Sequence, residues 1–151
     1  MTIPVPTYVK KFLTQKYGEA LFISKKTTLG IHLLELLEKE FDPKSISPVL
    51  GNDCYRINLS EYYANTKGVV INPMRANDIA NYLDRLFREQ LFDFMKIHKY
   101  QHGQELPAIR IFLDYHGITE DDVKYDTLYR DYKRYKKKEE RTKILKLSQP
   151  L

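Results

Sequence analysis

Ile79, Leu83, Leu86, Phe87, Leu91 and Phe94 recur three and four residues apart, with Gln90 the polar member of the same line. That spacing predicts one long amphipathic helix, beginning at Pro73 or Asp78 and ending near Ile97, and its apolar stripe must be covered by a second layer. HKYQHGQ, residues 98–104, breaks it. Shorter stretches repeat the pattern. Pro6 suits a first helical turn, Tyr8, Val9, Phe12 and Leu13 follow at helical spacing, and Gly18 closes a helix over 6–17. Thr27 and Thr28 can cap a helix reaching Phe41, with Leu29, Leu33, Leu36 and Leu37 on its inner face and Ile31 and Leu34 widening it.

Alternation of period two occurs at one place. Tyr55, Ile57 and Leu59 face one way and Arg56, Asn58 and Ser60 the other, which predicts a half-buried strand over 54–59. EALFIS (19–24) and VVIN (69–72) are short apolar runs of strand length. DPKSISPVLGND (42–53) reads as a loop, and SEYYANTKG (60–68) as a short helix stopped at Gly68. The expected class is α+β, predominantly α-helical with a few short strands. The 151 residues suffice for a core without staples.

The expected organisation is a mainly helical body over 1–103 and a helix-turn-helix-like basic unit over 104–147. In that unit Leu106–Tyr115 forms a short helix around Ile109, Phe112 and Leu113, and His116-Gly117 stops it. Thr119 with Glu120, Asp121 and Asp122 reads as a capped, acid-rich start of another short helix. Asp126 offers a further N-cap, for a helix from Thr127 to at least Lys138. The likeness to helix-turn-helix proteins covers about 105–141 and is architectural. A weaker regularity runs through the chain: Gly18, Gly68 and Gly117 are 50 and 49 residues apart, and Leu29, Ile79 and Leu128 follow at matching offsets. It suggests a threefold repeat whose first two copies form the body, although helical periodicity alone also produces such matches.

Charge separates the two parts. Residues 124–146 hold ten Lys and Arg against four acids, a surplus of six, whereas the remainder has one excess acid. A near-neutral body with one basic arm points to an anionic partner. In TLYRDYKRYKKKEERTK, Leu128, Tyr129, Tyr132 and Tyr135 share one helical face, and Arg130, Arg134, Lys137 and Arg141, joined by Lys133, share another. The expected nucleic-acid contacts are Thr127, Arg130, Lys133, Arg134, Lys136, Lys137, Lys138 and Arg141. Thr127, Arg130, Asp131 and Arg134 are placed to meet base edges, and the lysines to meet phosphates.

The predicted function is DNA binding by a small regulator or replication accessory of bacterial or phage type, with RNA not separable from DNA on these residues and a homodimer expected if binding is specific. The alternative is an assembly protein whose basic, tyrosine-rich helix grips an acidic protein partner. The two readings differ in where the tyrosines go: packed inward for a nucleic-acid binder, exposed for a protein-packing surface.

Other classes find little support. GxxxxGK, GxGxxG, GxSxG and HExxH motifs are absent, and no enzyme or cofactor is expected. Asp121, Asp122 and Lys124 faintly resemble the acid-x-lysine element of metal-dependent nucleases, but the acids are accounted for at a helix start. His98 and His102 have the spacing of a metal pair, but Gly103 follows directly and Cys54 is distant in sequence, so no metal is expected. Cys54, the lone cysteine, is expected as a small buried apolar residue in a reducing compartment. The N-terminus has no apolar run of signal type, no stretch is long and apolar enough to span a membrane, and the tyrosine-rich face argues against lipid; a cytoplasmic location is expected.

Overall fold

A computed structural model of the chain describes residues 2–38, 51–59, 73–98 and 103–148. The elements in order are β1 (Thr2–Val5), α1 (Thr7–Tyr17), β2 (Ala20–Phe22), α2 (Thr28–Glu38), β3 (Asp53–Asn58), α3 (Pro73–His98), α4 (Glu105–Tyr115) and α5 (Tyr125–Ser148). The class is α+β, mostly helical with a small three-stranded sheet. No helix among the described residues is long and apolar enough to cross a membrane. The chain divides into two compact units, Met1–Phe87 and Arg88–Leu151, with the boundary inside α3.

In the first unit β3 is the central strand. It pairs antiparallel with β1, Ile3 opposite Tyr55, and parallel with β2, Leu21 opposite Ile57. Period-two alternation sends Ile3, Val5, Leu21, Tyr55 and Ile57 to the buried face, where Val9, Phe12 and Leu13 of α1 are also buried. The Tyr55 hydroxyl donates to the Gly18 carbonyl at 2.7 Å, tying the sheet to the end of α1. Gly18 has φ 88°, the left-handed conformation that ends the helix. The α1 side of the core continues onto α3 through Phe12 and Phe87, edge to face at 5.5 Å, and Tyr8 donates to Asp84 at 2.6 Å.

Several expectations need correction. β1 was not foreseen, because Pro4 and Pro6 obscure a four-residue strand; Pro4 is tolerated on a strand that pairs on one side among the described residues. Cys54 is exposed, not buried, since alternation puts it opposite Tyr55. In α2 the Thr27 hydroxyl does accept from the Gly30 N–H at 3.0 Å, but Ile31 faces solvent while Leu33, Leu34 and Leu37 are buried. The readings of 42–50, 60–72 (with Gly68) and His102 fall outside the described residues.

In the second unit, α4 ends in a Schellman arrangement. Ile118 N–H donates to the Leu113 carbonyl and Gly117 N–H to the Asp114 carbonyl, with Gly117 at φ 67° and Ile118 buried. The expected short helix from Thr119 is a single turn. The Asp122 carboxylate accepts from both the N–H and hydroxyl of Thr119, and Asp122 N–H donates back to the Thr119 carbonyl. These local bonds satisfy the turn without helix propagation. α5 then begins at Tyr125, two residues before the expected start, with the Lys124 carbonyl accepting from Thr127 and Leu128; Asp126 lies in its first turn rather than capping it.

Candidate nucleic-acid interface

Leu128, fully buried, and Tyr132, 6% exposed, fix which side of α5 faces its own unit. Tyr135 stacks on Phe92 of α3 at 4.8 Å, and its hydroxyl donates to Glu139 at 2.8 Å. Burial and that carboxylate push the Tyr135 phenol up to about 12. Two ion pairs follow the same seam: Arg88 with Asp131 at 3.2 Å and Lys96 with Glu139 at 2.8 Å. Matching increments along α3 and α5 mean that these segments run in the same direction.

The outward side follows from that anchoring. At about 100° per residue, Arg130, Lys133, Arg134, Lys137 and Arg141 share an arc opposite Leu128 and Tyr132, and all five are exposed. Lys138 is exposed at its flank and Thr127 is half-buried. Lys133 lies over the Tyr129 ring at 4.2 Å, a cation–π contact that steadies the side chain while its charge stays at the surface. Arg134 comes within 3.9 Å of Asp131, whose other oxygen takes Arg88.

Lys136 differs from its neighbours. It is half-buried, and its ammonium meets Glu105 of α4 at 3.1 Å. Glu105 is 3% exposed, and the hydrogen bond to it holds the Lys136 ammonium above the ordinary lysine value. The structure therefore brings Arg130, Lys133, Arg134, Lys137 and Arg141 together and turns Lys136 to an internal carboxylate. Asp131 is likewise committed to Arg88, so it does not stand as a free anion beside the cations.

Sequence reading did not single out a second feature of this unit. Phe94, Ile111, Phe112, Tyr115 and His116 line a cavity of about 300 Å³, with Phe94 and Phe112 at 5.5 Å and Phe112 and His116 at 4.7 Å. The available signal was Ile111 and Tyr115, one helical turn apart on the side of the segment away from Ile109 and Leu113. Among the described residues no group of three or more His, Cys, Asp and Glu could hold a metal ion. No protein-family model matches the chain, and neither the curated proteins nor the solved structures contain a match to it.

Proposed function

We propose that this protein binds nucleic acid, laying the outward side of α5 along the phosphates of duplex DNA as a small regulator or replication accessory rather than an enzyme. The observation that carries the reading is the division of α5: its apolar and tyrosine side is taken up by its own unit, while five cations share the exposed side. A helix of that shape fits a major groove about 12 Å wide. The inward packing of Tyr132 and Tyr135 favours this over a protein-packing surface, which would leave the rings accessible. Arg88 supports it too, by taking up Asp131, the acid next to Arg130 in the ladder.

The base-reading set is Arg130 and Arg134, because Thr127 is half-buried and Asp131 is paired. Lys133, Lys137, Lys138 and Arg141 are phosphate contacts, and most of the affinity is therefore independent of sequence. Fluorescence anisotropy of labelled duplex DNA tests this at about 50 and 200 mM salt. With about four phosphates contacted, affinity should fall on the order of a hundredfold between the two. Arg130→Ala/Arg134→Ala/Lys137→Ala should bind far more weakly and with a shallower salt slope, whereas Lys136→Ala should keep the slope. Absence of binding at low salt would defeat the proposal and make an acidic protein partner the reading to pursue.

A further inference from the structure

The second unit is electrically polar along its own length. Residues 114–126, from the end of α4 into the start of α5, carry Asp114, Glu120, Asp121, Asp122 and Asp126 against Lys124 alone, whereas 141–147 carry Arg141, Lys143 and Lys146 with no acid. Each end also bears exposed apolar side chains. At the acidic end the aromatic cavity opens beside Ile111, 57% exposed, and Tyr115, 69% exposed. Asp114 lies three residues from Ile111, hence next to it on the helix surface. At the basic end Ile144 and Leu147 are 64% and 86% exposed, one turn apart on α5, with Lys143 and Lys146 beside them.

In this structure these two ends do not meet within one chain. α5 is a continuous helix from Tyr125 to Ser148. Ile144 and Leu147 near its end stay 64% and 86% exposed and are not among the residues that line the cavity. A second copy of the chain can bring them together. Its tail has two aliphatic side chains at helical spacing for a cavity walled by Phe94, Phe112 and Tyr115, and two lysines for Asp114 and the acids of the following turn. Since each copy owns one tail and one cavity, a two-fold arrangement satisfies both and closes.

We propose that this protein pairs with itself by reciprocal docking, the Ile144–Leu147 turn of each α5 seated in the aromatic cavity beside Tyr115 of the other copy. Neither the docked turn nor the cavity lining includes Arg130, Lys133, Arg134 or Lys137, so the pairing does not rest on the nucleic-acid reading and can fail or succeed separately from it.

Sedimentation equilibrium of the full chain from micromolar to millimolar concentration is the test, with circular dichroism to confirm that each variant is folded. Wild type should dimerise. Ile144→Glu/Leu147→Glu and, independently, Ile111→Glu/Tyr115→Glu should each raise the dimer Kd at least tenfold; all four side chains are exposed, so the fold should tolerate the changes. Mixing the two variants should restore a pair, because one intact tail then meets one intact cavity. Lys143→Glu/Lys146→Glu should weaken the dimer, and adding Asp114→Lys to that variant should recover part of the loss. A wild type monomeric throughout the range, a dimer indifferent to both apolar pairs, or a mixture that stays monomeric would each overturn the proposal.

Discussion

Residues 1–87 close around a sheet face where Ile3, Val5, Tyr55 and Ile57 lie buried along with Phe12 and Leu13 of α1, whereas residues 88–151 hold their helical segments together partly by charge. In the first unit Lys10 meets Asp53 at 2.9 Å and Tyr8 meets Asp84, both part-buried, beside the bond from buried Tyr55 to Gly18. In the second, Arg88–Asp131, Lys96–Glu139 and Lys136–Glu105 tie α5 to its neighbours at three levels. The physical reason is composition. A helix in which one residue in two is charged has a narrow apolar stripe, here Leu128, Tyr132 and Tyr135, and needs ionic contacts on both flanks to settle its orientation. The outcome is a helix oriented by ion pairs on its inward flanks, with cations in surplus on its outward side.

The largest expected effect lies in the first unit. Phe12→Ala removes a ring that is 1% exposed and packed edge to face on Phe87, and should cost about 3–5 kcal/mol in denaturant unfolding. A loss below about 1 kcal/mol would mean that the sheet core is not the main source of stability in residues 1–87.

Next comes the Glu105–Lys136 pair, whose two halves should behave differently. Lys136→Met strands a buried carboxylate and should cost about 1–3 kcal/mol. Glu105→Leu should cost less, since the half-exposed Lys136 can swing to water. Equal losses would show that the pair is not asymmetric in burial. Gly117→Ala sharpens the comparison further. The added methyl meets nothing within 4 Å, so its effect is confined to the left-handed backbone, φ 67°, and should be about 1 kcal/mol by thermal melting.

The smallest effects are those of pH. Asp53, bonded to Lys10 and to the Cys54 N–H, and Glu139, bonded to Lys96 and Tyr135, are both held below their ordinary carboxylate values. A depressed folded value contributes stability above the unfolded one, and that contribution disappears as pH falls through the folded one. Both units should therefore lose a little stability below about pH 4, and Asp53→Asn and Glu139→Gln should each flatten that decline. At the alkaline end the sign reverses. Tyr55 and Tyr135 are both pushed up to about 12, so their contribution is intact below the ordinary tyrosine value and is lost as pH rises through about 12. Ultraviolet titration should find them among the last of the tyrosines to ionise.

Long stripes and clean alternation made much of this architecture readable beforehand. The line from Ile79 to Phe94 predicted α3, Tyr55 and Ile57 predicted β3, and His116-Gly117 predicted the end of α4. What escaped reading depended on partners remote in sequence or on short local bonds. β1 makes sense only once β3 is beside it, and Thr119 prefers two bonds to Asp122 over starting a helix. The outward ladder of α5 was legible because Leu128 and the tyrosines set its phase. Lys136, in a run of three lysines, could not be told from Lys137 and Lys138, since its distinction lies in a carboxylate 31 positions away. Ile111 and Tyr115 drew no reading of their own, because the cavity beside them is formed with Phe94, distant in sequence.

That carboxylate has a consequence for how the basic helix is aimed. Lys136, Lys137 and Lys138 are chemically interchangeable, and turning α5 by one residue would rotate every side chain by about 100°. Glu105, nearly sealed from water, can accept just one of them at 3.1 Å without leaving its place. It acts as an index pin: seating Lys136 points Lys137 outward, and seating Lys137 instead would move Arg130 to the half-buried place of Tyr129. Leu128 and Tyr132 already hold that orientation, so the pin sharpens an aim that the apolar side sets.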